Sequence, residues 1–276
     1  MKIKKDKIFN YLMIYGIACL LIASLYDLDI NKTLYNRNGI YPNFFRLTAE
    51  MPMIVVFSSA CFTYIRYGYH RTNKILLALL AVAAVGFPLV SSFTSLSYFE
   101  IHNVFFSMLI FFFYMACSFL IARSINETSR NRVLAYSLFV IISIILILLS
   151  FSILKGIWGR TRFFPMHQEK DYTMFTHWWQ LPGNSGSDIF KSFPSGHTGA
   201  AASTFVLILL PSIFYKNNFI KKYENFFLFG PIVWTLLVQF ARIFDGAHYL
   251  SDTAASIIIS CLVISLTKNI LKKFIK

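Results

Sequence analysis

Pro194-Ser195-Gly196-His197 puts a hydroxyl, an unhindered backbone amide and an imidazole at the start of an apolar run. If that run is helical, the turn sits where N–H groups lack partners and the helix dipole favours negative charge, so it suits an anion. Lys155 and Arg162 precede it and Arg242 follows it, which brings three cations to the same list of candidates. His248 and Asp252 are four residues apart and share a face if they lie on one helix. A carboxylate on one imidazole nitrogen orients the ring and leaves the other nitrogen free as a base or nucleophile. Two histidines over a cationic pocket can divide the work: one attacks, the other protonates the leaving group.

The elements that must position these residues are membrane helices. The chain of 276 residues is 57% hydrophobic and only 14% charged, with 30 Phe. A soluble domain carries about 25% charged residues, so a bilayer is the expected solvent. Eight helices are expected, over 8–26, 51–66, 75–98, 104–123, 133–154, 196–215, 225–243 and 251–268. The fold class is all-α, a polytopic transmembrane bundle. The basic start followed by an apolar run resembles a secretory signal, but Asp27-Leu28-Asp29 stands where small residues would be cleaved, so an uncleaved first span is expected. Cys19, Cys61, Cys117 and Cys261 all fall in apolar runs without a CxxC pair and read as small buried hydrophobes.

The net charge of +14 is not a nucleic-acid signal here, because it is confined to one set of connections. With the N-terminus placed inside, 17 of the 26 Lys and Arg fall in inside segments, against three of the 12 acids (Asp6, Glu127, Glu224). The other nine of each fall outside. This asymmetry predicts cytoplasmic N- and C-termini. It also puts Lys155, Arg162, His197, Arg242, His248 and Asp252 at one depth on the extracytoplasmic side. The outside segment 27–50 is mixed and aromatic and is read as lying along the interface. The longest loop, from Lys155 to about Pro194, is the one most suited to function.

Lys155-(six residues)-Arg162, then Pro194-Ser195-Gly196-His197, then Arg242-(five residues)-His248-(three residues)-Asp252 resembles the three-part signature of the type-2 phosphatidic acid phosphatase superfamily, which includes lipid phosphate phosphatases and vanadium haloperoxidases. The likeness covers about 104–270. It implies a six-helix phosphatase core, placed at 75–276, with the helices of 1–74 outside it. It further implies that His248 is a nucleophile forming a phosphohistidine, that Asp252 holds its ring, and that His197 is the general acid. Lys155, Arg162, Arg242, Ser195 and the Gly196 amide would hold the phosphoryl oxygens. Two positions depart from the pattern: Phe163 stands where Pro is common and Ala241 where Ser is common.

The expected function is therefore a membrane phosphatase of a lipid phosphate: phosphatidic acid, phosphatidylglycerol phosphate or a polyprenyl pyrophosphate. The alternatives are a lipid phosphotransferase using the same intermediate, or a non-catalytic lipid-binding or transport relative. No cofactor or metal is expected, since Asp245 and Asp252 are the only acids of the last outside turn. The expected partners are the substrate and membrane lipids, with no nucleic acid and no obligate protein partner. Short loops favour a bacterial cell membrane. Arg160 stands open between a substrate contact and an ordinary loop cation. His102, His167 and His177 read as solvated or interfacial. Trp158, Trp178 and Trp179 read as an aromatic belt, with a substrate lid as the sharper alternative.

Overall fold

The computed structural model describes residues 6–70, 72–126 and 129–271. Among them every regular element is helical, and eight runs are long and apolar enough to cross a membrane. Lys2, Lys4, Lys5, Arg71, Glu127, Lys272, Lys273 and Lys276, which enter the charge count, lie outside the described residues. The protein is an integral membrane protein built as a helical bundle.

The spans are α1 (Asp6–Leu34), α3 (Met51–Gly68), α4 (Lys74–Ser97), α5 (Val104–Ser124), α6 (Arg130–Trp158), α8 (Gly196–Ser203, continued below), α11 (Glu224–Phe244) and α12 (Leu250–Leu271). Short α2 (Ile40–Thr48), α7 (Phe163–Glu169) and α10 (Asn218–Lys222) lie between them. Helix α1 runs past its expected end at residue 26, so Asp27 and Asn31 are helical and buried instead of lying in a surface loop. Within the segment read as interfacial, α2 docks on α11. Tyr41 Oη donates to the Leu237 carbonyl at 2.6 Å, and Trp234 Nε1 donates to the Ala49 carbonyl at 3.2 Å.

The sixth span is not one continuous helix. After α8 the chain tightens into a 3-10 stretch, Thr204–Leu209, before α9 (Leu210–Ile213). Pro211 lacks the N–H a continuing α-helix would need there, and its ring crowds the carbonyl four residues back. Ser203 and Thr204 hydroxyls bond the Ala200 and Ala201 carbonyls at 2.7 and 2.6 Å, which further loosens the regular ladder.

Lipid tails are as apolar as Leu, so helices associate in a bilayer through close packing and polar contacts more than through water exclusion. Helix α8 shows this. Gly199, Ala200, Ala201, Ala202 and Ser203 let α6, α11 and α12 close around it. A Cβ on Gly199 would lie 1.4 Å from a Phe151 ring carbon of α6, so only glycine permits this approach. By contrast α5 leaves Phe105, Phe112, Phe113 and Phe119 exposed, a surface suited to acyl chains. The N-terminal helices are not an appendage. Helix α1 packs along α12, and α3 packs against α4, α5 and α6. Cys19, Cys61 and Cys261 are buried and unpaired, as small hydrophobes in the packing.

Candidate active site

The expected site residues converge at one end of the bundle. There the C-terminal ends of α1, α4, α6 and α11 meet the N-terminal ends of α3, α8 and α12.

His248 occupies the turn between α11 and α12 and is 1% exposed. Its Nδ1 lies 2.6 Å from the Ser192 carbonyl and 3.8 Å from Asp252 Oδ2. A carbonyl only accepts, so Nδ1 carries the proton and Nε2 keeps its lone pair. The resemblance gives the ring to Asp252; in the structure the Ser192 carbonyl is the nearer partner of Nδ1, and Asp252 stands behind it. The Asp252 oxygens are already occupied: Oδ1 accepts from Arg160 Nη1 at 2.6 Å, and Oδ2 accepts from Ser192 Oγ at 2.5 Å and the Tyr249 N–H at 2.9 Å. Asp252 thus acts on His248 partly through Ser192, whose hydroxyl it holds and whose carbonyl holds the ring. Burial pushes the His248 imidazole down to about 4, with nearby Asp252 opposing and Arg242, Arg162 and Lys155 lowering it further. All three expected cations therefore bear on this one ring, which is neutral at pH 7.

His197 is the second residue of α8 and is 7% exposed. Tyr98 packs on its ring with centroids 5.1 Å apart, and Glu50 Oε1 lies 4.0 Å from its Nε2. Burial pushes the Tyr98 hydroxyl up to about 12, and Glu50 adds to the rise. Ser195 caps α8: its Oγ accepts from the Thr198 N–H at 3.4 Å and lies 3.0 Å from Thr198 Oγ1, while its own N–H bonds the Asp252 carbonyl at 3.2 Å. The Ser195 hydroxyl is thus held at the start of α8, where the resemblance expects it to meet a phosphoryl oxygen. At Gly196 a Cβ would meet Lys155 Nζ at 3.0 Å, so the lysine ammonium lies directly against the N-terminus of α8.

Arg162 Nη1 pairs with Asp188 at 2.9 Å, and Arg242 Nη1 with Asp245 at 2.9 Å. Nε of Arg162, Nε of Arg242 and Nε2 of His197 are buried with no hydrogen-bond partner among the described residues. Buried polar atoms are seldom left unpaired. Two guanidinium donors and an imidazole nitrogen in this state fit an anion with several oxygens.

The sequence reading missed three contributions. Arg160 is neither a substrate contact nor a loop cation. It is fully buried, bridges Asp27 (2.9 Å) and Asp252 (2.6 Å), and lies over the Tyr249 ring at 4.1 Å. Asp27 itself accepts from the Ser251 N–H at 3.1 Å and from Ser251 Oγ, and Asn31 Nδ2 donates to the His248 carbonyl at 3.1 Å. Their spacing of four on one helix face was the available signal. Asp245 gathers Arg37 and Arg46 as well as Arg242. Burial pushes its carboxyl up, but the three guanidinium groups win and hold it below the usual range.

Phe163 and Ala241, the two departures, are both fully buried. Phe163 opens α7 inside an aromatic cluster with Tyr35, Tyr172 and Tyr249. Ala241 faces Ala201 of α8 in a small core with Phe45 and Val238. Trp158 stacks on Phe193 with centroids 4.2 Å apart and donates to the Trp178 carbonyl at 2.9 Å, which knits the long loop to the turn before His197. His167 bonds the Tyr172 hydroxyl, and His177 stacks on Trp179.

The fold and site define a class: a polytopic helical membrane protein with two buried histidines among fixed cations. A family model for the PAP2 superfamily matches residues 132–276, and the chain belongs to that superfamily, which implies phosphatase activity on phosphate esters. The match begins within α6, so α1 to α5 lie outside it. Comparison with curated proteins and with solved structures finds no match.

Proposed function

We propose that this protein hydrolyses the phosphomonoester or diphosphate of a membrane lipid through a phosphohistidine on His248, at the extracytoplasmic face. One observation carries the reading: His248 has its Nδ1–H fixed on the Ser192 carbonyl, which leaves Nε2 as a neutral nucleophile on a ring that feels the charges of Arg242, Arg162 and Lys155. The Nε2 lone pair attacks phosphorus. The bond to the departing lipid oxygen breaks, and that oxygen takes a proton from His197. Water then attacks phosphorus, His197 accepts the water's proton, and the P–N bond electrons return to Nε2. Phosphoryl transfer depends mainly on positioning and on stabilising charge on the equatorial oxygens. Lys155, Arg162, Arg242 and the first amides of α8 supply that charge. The same cations oppose a divalent metal, so the reaction is metal-independent in this reading. The site lies at the ends of the helices, where a headgroup can enter with its tails still in the bilayer.

The test is a panel of lipid phosphates on purified protein in EDTA, with His248→Ala as the blank, scoring both free phosphate and labelled lipid product. Phosphate release lost in His248→Ala supports the reading. Activity that survives the substitution, or that needs Mg²⁺, contradicts it, and transfer to a second lipid identifies a phosphotransferase.

A further inference from the structure

We propose that Asp27, on α1 and outside the segment that matches the family, is a positioning residue for His248: through Arg160 and Asp252 it sets the charge behind the nucleophile. The inference rests on the reading of His248 as the attacking group.

The geometry is a buried chain of charges. Asp27, Arg160 and Asp252 are 2%, 0% and 0% exposed, and Arg160 touches both carboxylates with separate nitrogens. A buried guanidinium needs only one carboxylate for neutrality. Here it has two, and with both ionised the cluster carries one surplus negative charge. Nearby groups do not cancel that surplus. Ser251 and Ser192 donate neutral hydroxyls, the Thr176 carbonyl accepts from Arg160 Nε at 2.9 Å, and Tyr249 offers its ring face. Asp27 also holds the Ser251 N–H at the start of α12, so it sets the height of the turn that carries His248 and Asp252.

The surplus matters when the P–N bond forms. Nε2 donates its lone pair while Nδ1 keeps its proton, so the ring becomes cationic although it is almost fully buried. Groups facing His248 from the other elements are positive: Arg242 of α11, Arg162 of the α6–α7 connection and Lys155 of α6. His197 of α8 lies across the site, and Asp245 is engaged with its arginines. The negative charge that balances the ring therefore comes from behind, from Asp252. Arg160 alone would neutralise Asp252. By sharing Arg160, Asp27 leaves Asp252 a net anion toward the imidazole.

Three variants count the charge: Asp27→Asn leaves the cluster neutral, Arg160→Gln leaves it at two negatives, and the pair together restores one. The readouts are kcat for lipid phosphate hydrolysis and the titration midpoint of the His248 ring, followed by ¹⁵N-histidine NMR in detergent and assigned with His248→Ala. The expected result for Asp27→Asn is a midpoint below wild type and a kcat reduced about tenfold, by analogy with the loss of the outer partner of a metal-ligating histidine. Arg160→Gln moves the midpoint up, and the double variant returns it toward wild type. Mere loosening lets water in and raises the midpoint in every variant, so a rise or no change in Asp27→Asn overturns the proposal. If Asp27→Asn does not fold, the double variant decides: a wild-type midpoint supports the role, and failure of both to fold reduces the cluster to a folding element and overturns it. The ring titration needs no turnover. If His248→Ala still hydrolyses lipid phosphate, the proposed function fails, while the midpoints still report on Asp27.

Discussion

At the scale of residues, the site holds its two imidazoles in different ways. His248 has a fixed tautomer because a carbonyl, not a carboxylate, meets its Nδ1. His197 has an unpartnered Nε2 beside Glu50 and Tyr98. If His197 protonates the leaving group, His197→Ala slows the phosphoenzyme-forming step by about 100- to 10,000-fold on an alkyl phosphate, the usual range for a general acid. The loss shrinks on p-nitrophenyl phosphate, whose leaving group needs no proton. An equal loss on both substrates argues for a binding role instead. The His248 ring has a depressed midpoint of about 4, so it is neutral and nucleophilic above that pH and loses its lone pair to a proton as pH falls through it. NMR titration of the free protein checks this directly, and a midpoint near 6.5 would mean an open, hydrated ring.

At the scale of elements, α8 is a closely packed joint of the bundle and the one that carries His197. Gly199→Ala forces a Cβ into Phe151, so α6 or α8 must move. The expected cost is about 1–3 kcal/mol, as for other overpacked interiors, read as a lower Tm in detergent and partly recovered by Phe151→Ala in the same chain. A Tm equal to wild type contradicts the close approach. The same helix shows what the sequence made legible. Its small-residue run and the anion-suited Ser195-Gly196-His197 start could be read directly, because both are local. The existence of eight spans was plain too, since bilayer thickness sets a minimum length, but not their ends: α1 runs on to Leu34. The 3-10 break was not anticipated, although Pro211 is its visible cause. Asp27, Arg160, Glu50 and the Ser192 carbonyl stayed hidden for a different reason. Their roles come from pairing across helices far apart in sequence, and a backbone acceptor has no side-chain letter to announce it.

At the scale of the whole molecule, the helices outside the family match are part of the active end. Helix α1 brings Asp27 and Asn31 behind His248, and the α1–α2 segment brings Arg37 and Arg46 onto Asp245. The start of α3 brings Glu50 beside His197. The proposed orientation puts that end outside the cell. A cysteine placed at Ser187 then reacts with an impermeant reagent in intact cells, whereas one at Asn217, at the opposite end, does not; the reverse labelling overturns the orientation. The central claim is that the phosphoryl group passes through His248. It is tested most directly by rapid alkaline quenching of purified protein during turnover of a lipid phosphate carrying a ³²P label. The expected result is a protein-bound label that is stable to alkali, labile to acid and absent from His248→Ala. A label that persists in His248→Ala, or one with the acid stability of a phosphoserine, would contradict it.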